Sequence, residues 1–141
     1  MVPGNPRHSG VVFEKMLTDA LEKGGYSFVR NVIVGKKPDG SRYKVDLLVD
    51  NKILVSVKWQ QTSGTAEQKI PFEVIALTHL FKSGGSYRPP AYLVLGGNGW
   101  RTELKEFYLS RDFLEWIPKA KGFVVLVDGY DFIKLVNERR L

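Results

Sequence analysis

The chain has 141 residues, of which 43% are apolar and 26% are charged, which is the composition of one globular domain. The absence of cysteine excludes disulfide bonds, thiol nucleophiles and cysteine-ligated zinc, and two histidines are too few for a metal site made of histidine alone. Any divalent metal would therefore depend on carboxylates, which favours a hard ion such as Mg²⁺. The net charge of +6 points to a polyanionic partner, most often a nucleic acid.

The sequence contains no segment typical of a membrane protein. Its longest uncharged apolar run, residues 123–127, is far shorter than the roughly 20 residues that cross a bilayer. The first residues lack the apolar core of a secretion signal. We therefore expect one cytoplasmic domain over residues 1–141, without membrane contact.

The first half of the chain divides into a helix, three strands and a second helix. Apolar residues at helical spacing predict a helix from Ser9 to about Gly24. β-Branched and alternating residues then predict three strands, at residues 27–34, 43–50 and 52–59. A polar loop at 60–68 precedes a helix predicted to run from near Pro71 to Lys82, because proline suits the first helical turn.

The second half of the chain is predicted to contain further strands that alternate with helices. They are a strand at 91–95, helices at 101–109 and 110–117, a strand at 123–127 and a last helix at 131–140. The order αβββαβαβα indicates an α/β fold, in which a mixed β-sheet is flanked by helices.

Charged residues interrupt the second and third strands. Because strand side chains alternate, Asp46 is predicted to share a face with Lys44 and Leu48, and Lys58 to share a face with Ser56. The tight turn between the strands would then place Asp46 near Ser56 or Lys58. An acid and a lysine inside apolar strands are costly unless they are paired or bind a metal. The two interpretations are an ion pair at a sheet edge, with its charges in solvent, and a catalytic site.

This pattern resembles the PD-(D/E)XK nuclease superfamily, whose fold is called restriction-endonuclease-like. That family places an aspartate at the start of a hairpin and an acid-X-lysine triplet on the next strand. Val45-Asp46 corresponds to the first half of the motif, and Ser56-Val57-Lys58 corresponds to the second. The resemblance covers residues 9–75 and implies a core of order αβββαβ.

The motif departs from the family pattern at two positions. Val45 replaces the usual proline, and Ser56 replaces the acid, although a serine hydroxyl is a poor ligand for Mg²⁺. Some branches of the family take this carboxylate from the following helix. The candidates are Glu73, fifteen positions after Lys58, and Glu67, nine positions after it. We predict that Glu73 supplies the carboxylate, because its neighbours are apolar, whereas Glu67 is expected to be exposed in a polar loop. The alternative is that Glu73 only interacts favourably with the helix N-terminus.

The first helix supplies a third acid, Glu14. In many members of the family, archaeal junction resolvases included, a glutamate of the opening helix joins the metal site; a solvated surface residue is the alternative. The resemblance thus implies Mg²⁺, or Mn²⁺ in its place, bound by Asp46, Glu73 and Glu14. In phosphodiester hydrolysis the metal polarises the phosphate and activates water, and Lys58 beside it would stabilise the developing charge.

Several residues are candidates for contacts with DNA. Gln60 follows Lys58 by two residues and is predicted to contact the scissile phosphate, unless it is an ordinary surface glutamine. A basic turn near the proposed site suits contacts with other phosphates, with a solvated turn as the alternative. Its residues are Lys36, Lys37, Arg42 and Lys44.

The leading hypothesis is therefore a Mg²⁺-dependent DNA endonuclease of the type II restriction kind, a hydrolase of phosphodiester bonds. The alternatives are a structure-selective nuclease, such as a Holliday junction resolvase, a repair enzyme or a homing endonuclease, and a non-catalytic DNA-binding module with a decayed site, which Ser56 favours. Each chain carries one motif and therefore one site, whereas a duplex has two strands to cut. We therefore predict a homodimer or a larger homo-oligomer. A group of aromatic residues is the candidate interface between subunits; the alternative is that they cover the sheet within one subunit. They are Phe107, Tyr108, Phe113 and Trp116.

Overall fold

The computed structural model describes residues 6–61 and 66–141, with side chains from residue 10 onward. The predicted polar loop therefore lies partly outside the described residues. The helices are α1 (Pro6–Lys23), α2 (Ala66–Lys82), α3 (Thr102–Leu109), α4 (Asp112–Glu115) and α5 (Gly129–Asn137), with a 3₁₀ turn at Pro118–Ala120. The strands are β1 (Phe28–Lys36), β2 (Arg42–Val49), β3 (Ile53–Trp59), β4 (Ala91–Gly96) and β5 (Val124–Asp128).

The five strands form one mixed sheet in the order β1-β2-β3-β4-β5. The first three strands are antiparallel neighbours, whereas β3, β4 and β5 are parallel. Asp50 and Asn51 both have positive φ, 51° and 58°, and so make the tight turn between β2 and β3 that right-handed strand twist favours. The α/β class and the mixed sheet flanked by helices are confirmed.

Two apolar layers cover the two faces of this sheet. On one face α2, α3 and α4 pack against the buried strand residues, among them Leu54, Leu93 and Leu95. On the other face α1 and α5 pack on Leu47, Val55 and neighbouring residues. In the described part of the chain, none of the helices has the length and apolar character needed to cross a membrane.

Helix α2 begins earlier than the sequence predicted, at Ala66 and not near Pro71. Proline lacks an N–H, so Pro71 donates no hydrogen bond to the carbonyl of Glu67, four residues before it. The hydroxyl of Tyr108 donates to that carbonyl at 2.6 Å and takes the place of the missing helical bond. A partner from a distant helix thus lets α2 continue through a proline, and the polar loop ends sooner than expected.

Three of the four aromatic residues considered as interface candidates pack inside the chain. Phe107, Tyr108 and Phe113 pack against one another with ring centroids 4.9–6.1 Å apart. Together they cover the α2 side of the core, where Tyr108 and Phe113 are buried and Phe107 is half-buried. Trp116 differs, because 78% of its surface is exposed.

Replacing Tyr108 by phenylalanine should lower the free energy of unfolding by about 1–3 kcal/mol, because the buried carbonyl of Glu67 loses its donor. The Pro71→Ala variant restores a backbone N–H to α2, so Tyr108→Phe should cost less in that background. Urea unfolding of the four proteins in this cycle measures the difference. Equal costs in both backgrounds would show that the hydroxyl does not replace the bond that proline removes.

Candidate active site

The site lies where β2 and β3 stop pairing. The pairing of β2 with β3 ends at Leu47 and Val55, although β3 stays paired with β4 as far as Trp59. Beyond that point the N–H of Val57 has no β2 carbonyl to bind. It donates instead to Oδ2 of Asp46 at 2.6 Å. Asp46 therefore satisfies a backbone donor that would otherwise be costly to bury, and a gap opens between the strands.

The same position marks a change in the direction of the β2 side chains. Tyr43 and Val45 belong to the apolar layer beside α2, whereas Leu47 belongs to the layer beside α1 and α5. On β1 the residue opposite this change, Asn31, has a positive φ of 55°. The prediction that Lys44, Asp46 and Leu48 share a face is therefore wrong, because strict alternation does not continue through Asp46.

Glu73 of α2 is held at this gap by three side chains that meet at one of its oxygens. Ser56 Oγ donates to Oε1 at 2.6 Å, the Tyr43 hydroxyl donates to it at 2.5 Å, and Lys58 Nζ lies 3.7 Å away. Among the described residues, no side chain binds Oε2. The carboxylate from α2 thus meets β3 at the place of the acid that the motif usually carries, and the small Ser56 leaves room for it.

Asp46 is likewise anchored through one oxygen. Its Oδ2 accepts the Val57 N–H and lies 3.5 Å from Ser56 Oγ, while no described residue donates to Oδ1. Burial raises the pKa of Asp46 above its usual range, and the charge of Glu73 raises it further, against the lowering effects of Val57 and Lys58. The pair therefore presents two unengaged carboxylate oxygens, and the setting disfavours the negative charge of Asp46.

Tyr43 is a site residue that the sequence did not reveal. It is 1% exposed, and burial, followed by the adjacent Glu73 carboxylate, raises the pKa of its phenol well above its usual value. The phenol consequently remains protonated and acts as a donor. No local signal in the sequence links it to Glu73, thirty residues later in the chain.

Glu14 lies beside the acidic pair and has its own partner. Its Oε1 is 3.6 Å from Nε of Arg30, a second residue that the sequence did not single out. Burial raises the pKa of Glu14, the charge of Asp46 raises it further, and Arg30 opposes the rise. Within residues 10–61 and 66–141, no three acidic or histidine side chains form a cluster able to hold a metal, so Asp46 and Glu73 are a pair with Glu14 next to them.

The acidic pair fits a hard divalent cation by its donor chemistry. Both ligand candidates are carboxylates, each with one oxygen fixed and one unengaged. Mg²⁺ needs only one or two protein carboxylates and keeps several waters. A cation would also offset the repulsion between two half-buried carboxylates.

Gln60 and Glu67 differ from what the sequence suggested. Glu67 is 4% exposed on α2, and not part of an exposed loop, because its carboxylate binds Gln60 and Arg101. Gln60 is also buried; its Nε2 donates to Glu67 and to the carbonyl of Gly99, and its Oε1 accepts the N–H of Glu67. The side-chain amide that was expected at the scissile phosphate is therefore turned into the protein.

The basic turn lies at the free end of the β1–β2 hairpin. Lys36 pairs with Arg42 across the two strands, and Ile33 pairs with Lys44. Lys36, Arg42 and Lys44 are exposed, and Lys37 is partly so. Since β2 also carries Tyr43 and Asp46, the turn extends from the same hairpin that forms one wall of the gap.

Fold and site together define an α/β domain with a half-buried acidic pair and a lysine at the gap between β2 and β3. A family model described as a PD-(D/E)XK nuclease superfamily domain matches residues 5–129. The chain belongs to this superfamily, and its fold is restriction-endonuclease-like, as the hairpin motif indicated.

Comparison with other proteins adds one similar structure. The crystal structure of a protein of unknown function, AF1548, is 14% identical in sequence, with a TM-score of 0.46. The match covers 82% of this chain and 56% of that chain, so this chain spans little more than half of it. No curated protein matches the sequence.

Replacing Tyr43 by phenylalanine tests the anchoring of Glu73. The variant should lose about 1.5–3 kcal/mol of unfolding free energy, the usual contribution of a hydrogen bond to a charged group. Tyr130→Phe is the matched control, because Tyr130 is 88% exposed. Chemical denaturation of both variants measures the effect, and wild-type stability of Tyr43→Phe would mean that the ring contributes only packing.

Proposed function

We propose that the protein is a Mg²⁺-dependent DNA endonuclease that hydrolyses phosphodiester bonds, with Mn²⁺ able to replace Mg²⁺. The observation that carries the proposal is the pair formed by Asp46 and Glu73, each with one anchored and one unengaged oxygen beside Lys58. Membership of a nuclease superfamily and a net charge of +6 support a nucleic acid as the substrate.

Asp46 and Glu73 are the proposed metal ligands. A bound divalent ion supplies charge stabilisation of the phosphate and a lowered pKa for an attacking water. Tyr43 and Ser56 hold Glu73 in place, which reduces the reorganisation needed on binding. Glu14 is the proposed third acid, since it already lies close enough to Asp46 for the two charges to interact.

Lys58 is proposed to act on the phosphate. Its ammonium group lies 3.7 Å from Glu73 Oε1 and retains partial access to solvent. A cation in that position can stabilise the charge that develops on the phosphate and can orient a water. The basic turn of Lys36, Lys37, Arg42 and Lys44 is proposed to contact the DNA backbone next to the cleft.

The structure bears on the choice between catalysis and a decayed site. Ser56 was the main argument for a non-catalytic DNA-binding module, and its hydroxyl binds a carboxylate from α2. This contact supports an active site in which the acid has moved to the helix. We propose restriction-type cleavage first and structure-selective cleavage second, and parallel assays on plasmid and on four-way junction DNA distinguish them.

Asp46→Asn, Lys58→Ala and Glu73→Gln should each lower metal-dependent DNA cleavage by about 100-fold or more while the fold survives. Each variant removes a ligand charge or the cation beside it. The matched controls are Asp19→Asn and Lys52→Ala, which alter exposed residues and should cleave like the wild type. Plasmid cleavage with Mg²⁺ is the measurement, and normal cleavage by any of the three site variants would refute its assigned role.

The proposal that Glu73 of α2 replaces the usual strand acid can be tested by placing an acid back on β3, at position 56. Glu73→Ala should be inactive, and Ser56→Asp alone should be destabilised by a second buried acid beside Glu73. The double variant Ser56→Asp/Glu73→Ala should recover at least about tenfold of the lost activity, since one ligand is worth about this much or more in metal affinity or rate. A folded double variant no more active than Glu73→Ala would contradict the idea that the two positions are equivalent.

We also propose a homodimer or larger homo-oligomer, because one site per chain must cut two strands. Light scattering on the wild-type protein tests this proposal. A monomer that makes double-strand breaks in one binding event would overturn it.

A further inference from the structure

Arg101 precedes α3 and is fixed by a buried carboxylate while its terminal groups face solvent. Its Nε donates to Glu67 Oε2 at 3.1 Å, and the side chains are 74% and 5% exposed. In the part of the chain that the structure describes, neither Nη group has a hydrogen-bond or ion-pair partner. The guanidinium is therefore held on one edge and open on the other.

Glu67 is itself held rigidly. Its Oε1 accepts from Gln60 Nε2 at 2.6 Å, and its N–H donates to Gln60 Oε1 at 3.1 Å. Gln60 is locked in turn, since its N–H donates to the carbonyl of Gly96 and its carbonyl accepts the N–H of Gly99. Burial raises the pKa of Glu67, but hydrogen bonds from Arg101 and Gln60 outweigh it and hold that pKa below its usual range. Glu67 thus remains an anion to which Arg101 is attached.

This network adjoins the proposed catalytic residues. Gln60 follows Lys58 by two residues, and Glu67 precedes Glu73 by six residues on α2. At the rise of an α-helix, six residues correspond to about 9 Å. Each DNA strand carries a phosphate about every 3.4 Å along its axis, so the spacing of Glu67 and Glu73 along α2 corresponds to a few phosphates.

We propose that Arg101 binds a backbone phosphate of the nucleic acid substrate, a few nucleotides from the phosphate that is cleaved. The inference rests on the proposed function for its substrate class. The open edge of a guanidinium presents two N–H groups that match two phosphate oxygens. Because Glu67 already orients the group, little side-chain freedom is lost on binding. Glu67 and Gln60 are then positioning residues for this arginine and not contacts of the phosphate.

The test separates phosphate binding from a purely structural ion pair. Arg101→Gln leaves Glu67 without its cation and should lower stability, whichever role is correct. The double variant Glu67→Gln/Arg101→Gln removes both charges and should recover stability. Arg111→Gln is the matched control, because Arg111 is also exposed and is not part of the Glu67 network.

Binding of a fluorescent DNA duplex is measured by anisotropy over a range of salt concentrations, in an Asp46→Asn background that prevents cleavage. The slope of log K against log salt should fall by about 0.9 in Arg101→Gln and in the double variant, the loss of one phosphate contact. Arg111→Gln should keep the parental slope. A parental slope and affinity in the stable double variant would overturn the inference.

The two proposals fail separately. If the wild-type protein cleaves DNA but the slopes do not change, the assignment of Arg101 is wrong and the nuclease proposal stands. If the slopes change as expected but no cleavage occurs with Mg²⁺ or Mn²⁺, Arg101 is a phosphate contact of a protein that binds DNA without cutting it.

Discussion

The structure depends on two half-buried carboxylates that lie side by side, those of Asp46 and Glu73. Two like charges in an apolar setting are stable only if donors and cations surround them. Here each acid is held through one oxygen, Asp46 by a backbone N–H and Glu73 by Ser56 and Tyr43. The other oxygen of each acid has no donor among the described residues, which is the basis for the proposed divalent cation site.

Separation of β2 from β3 makes this arrangement possible. A strand that leaves its neighbour exposes unpaired backbone groups, and Asp46 satisfies one of them at Val57. The opening also gives α2 access to β3, so that Glu73 reaches Ser56. Ser56 is therefore a hydrogen-bond partner of Glu73, and its small side chain allows the carboxylate of α2 to approach.

The placement of Glu73 depends in turn on how α2 begins. Pro71 removes one helical hydrogen bond, and Tyr108 replaces it from α3. One turn earlier, Glu67 binds Gln60 at the end of β3 and Arg101 beside α3. These buried polar contacts are complete, and a complete network is rigid. The helix is thereby fixed to the strand that carries Lys58, and the geometry of the acids follows from it.

The sequence by itself determined the α/β class and the mixed sheet, and it singled out the candidate motif residues on β2, β3 and α2. Periodicity and turn residues are local signals that can be read from the sequence. An acid among apolar neighbours, such as Glu73, also indicates locally that a partner is needed. Only the tertiary structure decided which partner each polar group has. Tyr43 meets Glu73 across thirty residues, and Tyr108 completes a helix forty-one residues away, so neither contact leaves a pattern in the neighbouring sequence. The same reason explains the errors at α2, Gln60, Glu67 and the β2 faces, because a hydrogen bond from a distant segment outweighed the local preference at each place.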